Sequence, residues 1–345
     1  MSESGNTPLR DTLAPEFFEA MRAYYAGRPV LVAGADGLLG LNTTLALNSL
    51  GADVSVLTRR ENSIAAQHAA QVIFGDFENS IIIQKAIAGQ SVVFDCVGSI
   101  SAAESMENAS TTFRRECQAH IAFFDACATV DPSPIVVFPS TRLVYGTPKS
   151  LPVDEAHPLA PTSNYGLAKL TVERFLELAH HNHGLRSRVF RLSNPYAPQR
   201  QIEQCPYNII SRFALAIARG EQVKIFGDGK QLRDYVHVRD VVNSFLASGA
   251  DERSNHVVFN LGGPEPISIR DAVQILVDSV NGQEPEYVDW PELSLKIETG
   301  DYYSKLEKLH SDYELPPFVS PKIGLRELIL GYEQQEEGDK TIYAR

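Results

Sequence analysis

The chain is 345 residues long, 43% hydrophobic and 21% charged, which suits a globular enzyme built from one large α/β unit and an added lobe. A formal net charge of −12 argues against nucleic acid or an anionic membrane surface as the main partner, while leaving room for a locally basic pocket. Cys96, Cys117, Cys127 and Cys205 are widely spaced and read as small packing residues of a reducing compartment, so no metal is expected.

In chain order, residues 1–10 read as a disordered end. Pro15 to Tyr25 carries Phe17, Phe18, Met21, Tyr24 and Tyr25 at helical spacing and predicts a short helix packed on the main unit. The runs Val30–Ala33, Val54–Leu57, Val72–Phe74, Val92–Asp95, Ile135–Phe138 and Arg188–Arg191 predict strands, with helices near 38–50, 80–88, 110–129 and 164–182 between them. Short, β-branched, almost uninterrupted apolar strands separated by helices imply a doubly wound parallel sheet covered on both faces. Past Asn194-Pro195 the alternation loosens into a helix near 208–219, a turn at Gly227-Asp228-Gly229, a helix at Val241–Ser248 and a strand, Val257–Leu261, that returns to the sheet. The proline-rich remainder reads as a smaller lobe. The expected ligand site is the cleft between that lobe and the sheet's carboxyl edge. No apolar run approaches a membrane span and no signal-peptide pattern opens the chain, so a cytoplasmic protein is expected.

Gly34, Gly37 and Gly40 form G-x-x-G-x-x-G between the first strand and the helix that follows. Such a turn lets backbone N–H groups approach a pyrophosphate at the helix N-terminus, with Leu38 and Leu39 inside the same turn. The second strand ends Leu57-Thr58-Arg59-Arg60. An acid there would accept from a ribose 2′-OH of NAD, whereas arginine suits a 2′-phosphate, so Arg59 and Arg60 favour NADP over NAD. After the third strand, Asp76 and Phe77 are candidates to meet the adenine; loop capping is the other reading of Asp76.

Tyr165 and Lys169 lie four residues apart and share a helix face. A phenol is a poor base at neutral pH, and a neighbouring ammonium favours its phenolate. The pair can therefore move a proton to or from a substrate oxygen while hydride moves to or from a nicotinamide. Upstream, Ser140, Thr141, Val144, Tyr145 and Gly146 place hydroxyls at the carboxyl end of a strand, and Ser163, Gly166 and Ala168 surround the pair. In these two segments the chain resembles the extended short-chain dehydrogenase/reductases, in their nucleotide-sugar epimerase/dehydratase branch. The resemblance runs from Val30 to about Leu330.

It implies a Rossmann-type α/β fold with a smaller C-terminal α/β substrate lobe: an N-terminal extension at 1–28, a dinucleotide-binding unit at 29–192 returning at about 235–263, and a lobe from 193–234 and 264–345. It implies Thr141 on the reacting sugar oxygen, Tyr165 as acid/base, and Lys169 on the nicotinamide ribose. It also implies a homodimer through two helices per subunit, for which 110–129 and 164–182 are the candidates. Arg191 to Tyr196 resembles the family's R-x-x-N-P segment, with Asn194 toward the diphosphate of a nucleotide-sugar substrate. Asn208 falls where a second substrate asparagine lies, and Arg233, in a G-D-G-x-x-x-R-D-Y-x-H-V match, is expected on a phosphate. His237 reads as structural.

The departures are informative. Arg142 and Leu143 follow Thr141 where dehydratases carry Asp-Glu, which disfavours water elimination and leaves Arg142 as a substrate contact. Glu298-Thr299-Gly300-Asp301 stands for R-x-G-D, which puts UDP in question, with Lys296 as a compensating cation. Asp95-Cys96-Val97-Gly98 replaces H-L-A-A beside the nicotinamide, where Val97 is a candidate contact, and Glu116 replaces an asparagine. Two enzymatic readings follow: a nucleotide-sugar 4-epimerase, favoured by the Asn194 and Arg233 segments, and an NADPH-consuming 4-ketoreductase, favoured by Arg59-Arg60. A non-catalytic dinucleotide sensor is the third reading, opposed by the presence of Thr141, Tyr165 and Lys169 together.

Overall fold

The computed structural model describes residues 14–98, 100–198 and 208–336; the stretch 1–10 and Cys205 lie outside them. After α1 (Pro15–Tyr25), strand and helix alternate through β1 (Pro29–Ala33), α2 (Leu38–Ser49), β2 (Asp53–Thr58), β3 (Gln71–Phe74), α3 (Ser80–Ile87) and β4 (Val92–Asp95). Next come α4 (Ala102–Glu107), α5 (Ala109–Phe113), α6 (Ala119–Thr129), β5 (Ile135–Thr141), α7 (Asn164–His183) and β6 (Ser187–Leu192). The second half holds β7 (Asn194–Tyr196), α8 (Ile209–Ala218), β8 (Lys224–Phe226), β9 (Leu232–Arg233), β10 (Tyr235–His237), α9 (Val238–Gly249) and β11 (His256–Leu261). It closes with β12 (Ile267–Ser268), α10 (Ile269–Val280), β13 (Glu286–Val288), α11 (Glu292–Ile297), α12 (Glu307–Asp312) and α13 (Pro321–Glu336).

Seven strands make one sheet in the order β11-β6-β5-β4-β1-β2-β3, every pairing parallel. Along β1, Val30 and Val32 enter one core with α1, α2 and α9, while Leu31 and Ala33 enter a second with α3, α6 and α7. Burial on both faces is why the strands read as continuous apolar runs. The strand order reverses between β1 and β4, so their carboxyl ends open the crevice where such folds take ligands.

α1 packs as expected, with Phe17, Phe18 and Tyr25 buried and the Tyr25 hydroxyl donating to the Leu246 carbonyl at 2.8 Å. β11 returns to the sheet edge beside β6. Three boundaries differ from the sequence reading. β5 runs on to Thr141, because Ser140 and Thr141 keep pairing with β6. α9 begins at Val238, where the His237 ring nitrogen accepts from the Arg239 N–H at 3.2 Å and caps it. The expected helix 110–129 is interrupted at Arg114–Gln118 by a π turn that buries Glu116 and Cys117. A third cluster of buried apolar residues, including Ile210, Leu215, Ile225, Leu276 and Leu328, belongs to the elements after β6.

Candidate active site

The glycine turn sits at the switch point. Gly34 has φ +70°, and a Cβ there would lie 2.6 Å from the Cys96 carbonyl oxygen at the end of β4. A Cβ on Gly40 would lie 2.2 Å from the Gly34 carbonyl oxygen, so these two glycines close the turn on itself. Gly37 differs: its nearest neighbour would be 3.5 Å away, and it is exposed. It also begins α2 with no side chain capping the first amides. A helix N-terminus presented this way fits a pyrophosphate. Leu38 and Leu39 are half-buried and pack toward the first core.

At the end of β2 the structure supplies what the sequence reading missed. Thr58 donates its hydroxyl to the Asp36 carboxylate, an acid delivered by the glycine turn of a neighbouring strand. Arg59 is exposed and pairs loosely with Asp76 at 3.7 Å. The Thr58 hydroxyl also accepts from the Arg60 N–H at 3.0 Å. Asp76 accepts from the Glu78 N–H at 2.9 Å, the loop-capping alternative. The Phe77 ring is buried against His120 and Phe123. Val97 donates its N–H to Asp95 at 3.1 Å.

Tyr165 and Lys169 stand in the first turns of α7. Ser163 caps that helix by accepting from the Gly166 N–H at 3.1 Å. The Tyr165 N–H donates to the Ser105 hydroxyl of α4 at 3.1 Å. A Cβ on Gly166 would come within 2.7 Å of the Leu143 carbonyl oxygen, so glycine lets α7 press against the turn that follows Thr141. Thr141 ends β5, buried, and its hydroxyl accepts from the Leu143 N–H at 3.3 Å. The Lys169 ammonium is 5.8 Å from the Tyr165 ring centre, 4.8 Å from the Phe138 ring centre and 3.4 Å from a Glu116 carboxylate oxygen.

Burial pushes the Tyr165 phenol above its ordinary range; Lys169 pulls it down and Glu116 pushes it further up. Burial opposes the charge on Lys169, yet Tyr165, Glu116 and Asp95 together hold its pKa above the usual lysine value. The residues around the trio are scaffolding. Ser140 bonds Glu173, and Glu173 pairs with Arg191 at 2.8 Å. Arg191 reaches the Tyr145 hydroxyl, which donates to Asn260.

On the substrate side, Arg142 donates to the Thr299 hydroxyl at 3.0 Å and lies over the Tyr302 ring. Burial, then the neighbouring Arg233 charge, lower the Arg142 pKa to about 10. Arg233 is buried and held by protein acceptors: the Leu232 and Gly300 carbonyls at 2.7 and 2.8 Å, and the Glu298 carboxylate at 2.6 Å. A phosphate approaching Arg233 therefore meets Glu298 as well, a partner the sequence revealed only as a missing arginine. The side chain of Lys296 lies outside the described residues. Asn194 donates to the Ser193 hydroxyl at 3.0 Å, and Asn208 caps α8 by accepting from the Ser211 N–H at 3.3 Å. Asp234, fully buried nearby, has its pKa raised to about 6 by burial against the hydrogen bonds of Ser193 and Ser304.

Residues 30–262 match the model of the NAD dependent epimerase/dehydratase family. The UDP-glucose 4-epimerase of Azospirillum brasilense is 29% identical over 278 residues, which are 74% of this chain and 78% of that one. A dTDP-glucose 4,6-dehydratase of Streptomyces griseus is 32% identical over 209 residues, 60% of this chain and 62% of its own. Among solved structures, UDP-glucose 4-epimerase of Thermotoga maritima with UDP-glucose superposes with a TM-score of 0.80 at 25% identity, covering 90% of this chain and 99% of that one.

Proposed function

The chain belongs to the NAD dependent epimerase/dehydratase family, and from that premise we propose that it is a nucleotide-sugar 4-epimerase working with tightly held NAD. The observation that carries the reading is the Thr141, Tyr165 and Lys169 grouping at the sheet's carboxyl edge, followed by Arg142 and Leu143 in place of an acid. The cofactor, when bound, accepts and returns a hydride. Thr141 orients the sugar oxygen, Tyr165 takes the C4 hydroxyl proton and returns it, and Lys169 stabilises the phenolate electrostatically. Neither Arg142 nor Leu143 can remove a proton from carbon, so the keto sugar is not diverted into loss of water. Arg142, from the turn after β5, and Asn194, Asn208 and Arg233, from the elements after β6, are the proposed contacts to the nucleotide sugar.

For the cofactor, Asp36 supports NAD: its carboxylate at Thr58 would accept from a ribose hydroxyl and repel a 2′-phosphate. A second reading, a 4-ketoreductase using NADPH, rests on Arg59 and Arg60. A homodimer is proposed through α7, which leaves Leu167 and Leu178 exposed on its outer side. The deciding experiment releases whatever dinucleotide co-purifies, identifies it by mass, and then supplies UDP-hexoses without reductant. Retained NAD and C4 epimer formation are expected, with Tyr165→Phe slower by about a thousandfold and unchanged in melting temperature. An empty site that turns over 4-keto sugars only with NADPH would establish the reductase instead.

A further inference from the structure

We propose that Glu116 is a positioning residue that sets the charge balance of the Tyr165–Lys169 pair, itself held by His120 and Asp95. The inference rests on that pair being the reacting one in the function proposed above. Four buried ionisable side chains run in a line inward from Tyr165. The Lys169 ammonium lies 3.4 Å from Glu116, Glu116 lies 4.0 Å from the His120 Nε2, and His120 Nδ1 lies 2.6 Å from Asp95. Lys169, Glu116, His120 and Asp95 are 2%, 1%, 0% and 0% exposed. The second Asp95 oxygen accepts from the Val97 N–H, which fixes the inner end.

Burying this many charges is costly unless each offsets the next, and here acid, imidazole, acid and ammonium alternate. The backbone is shaped for it. Glu116 lies in the π turn between α5 and α6, a geometry found mostly at functional sites, and His120 follows one turn later on the same face. The titratable or charged groups acting on the pair belong to this line or to its edge: Asp95 at the end of β4 with Cys96 just beyond it, Glu116 from the π turn, and Tyr165 and Lys169 from α7. Burial raises the Cys96 thiol pKa well above its usual range, so its contribution is that of a neutral group.

Glu116 thus acts in two directions. With Tyr165 and Asp95 it opposes the effect of burial on the Lys169 charge, and it offsets the pull of that ammonium on the Tyr165 phenol. Uncharging it should leave Lys169 closer to an uncompensated cation and make the phenolate easier to form.

The test is the ionisation of Tyr165 itself, read on the purified holoenzyme by pH jump as the ultraviolet tyrosinate difference between each protein and its Tyr165→Phe counterpart. Glu116→Gln should lower the Tyr165 midpoint by about one pH unit. Glu116→Asp, which keeps the charge but withdraws it by one methylene, should give a smaller shift in the same direction, and it serves if Glu116→Gln does not fold. A midpoint unmoved in the variants that fold, even with a lowered melting temperature, would reduce Glu116 to a packing role and overturn the proposal. The titration uses no sugar and no turnover. A shifted midpoint in a protein that epimerises no nucleotide sugar would therefore sustain the Glu116 assignment while the substrate assignment fails.

Discussion

Arg233 and Glu298 show how one position changes what a neighbouring side chain can do. The guanidinium has two backbone carbonyls and one carboxylate at hydrogen-bond distance, so an incoming diphosphate competes with Glu298 for it. Replacing Glu298 by Gln removes the competing charge and keeps the shape. Affinity for UDP, measured calorimetrically, should tighten by about tenfold, or 1.4 kcal/mol; weaker binding would mean that Glu298 serves chiefly to orient Arg233. The sequence displayed Glu298 as a departure but could not pair it with Arg233, because 65 positions separate them. Asp36 escaped the reading for a similar reason. An acid is expected at the end of β2, and the carboxylate comes from the turn after β1. By contrast, Gly34, Gly37, Gly40, Tyr165 and Lys169 were legible because each motif lies within a single turn or helix, where local spacing fixes geometry.

At the scale of elements, α7 sets the position of the Tyr165–Lys169 pair, and two local devices fix its start. Ser163 caps it, and Gly166 lets it close on the turn after β5. Ser163→Ala should lower the unfolding free energy by about 1 kcal/mol, seen as a reduced urea midpoint with an unchanged slope. Apart from β5, the strands of the seven-stranded sheet emerged from periodicity within one residue, since parallel strands buried on both faces carry an unmistakable apolar run, whereas the two- and three-residue strands after β6 did not. The π turn did not. One extra residue in a helical stretch leaves the apolar pattern nearly intact, while it rotates Glu116 and His120 into the interior. Only contacts across α5, α6, β4 and α7 make that rotation worthwhile.

Across the whole molecule, half-buried histidines tie stability to pH. Burial lowers His237 and His256 from 6.5 to about 4. The folded protein thus binds these protons less readily than the unfolded chain. The stability they permit is complete above pH 6.5 and is lost as pH falls toward 4. Asp234 and Asp240, raised from 3.8 to about 6, act in the opposite sense, their contribution being present below 3.8 and lost as pH rises toward 6. His256→Gln should therefore flatten the acid side of the stability curve in denaturant melts between pH 6.5 and 4; an unchanged slope there would show that His256 already protonates in the folded state. For assembly, light scattering should find the dimer proposed above, and Leu178→Glu on the exposed face of α7 should convert it to a monomer; a dimer unaffected by it would move the interface elsewhere. The sequence alone determined the doubly wound sheet, the glycine turn before α2 and the Tyr165–Lys169 pair on one face of α7, because short-range periodicity and spacing encode them. The Asp36–Thr58 contact, the Arg233–Glu298 pair and the buried line from Lys169 to Asp95 were decided by tertiary structure, since electrostatic partners are chosen by distance in space and residues far apart along the chain meet only once the sheet is wound.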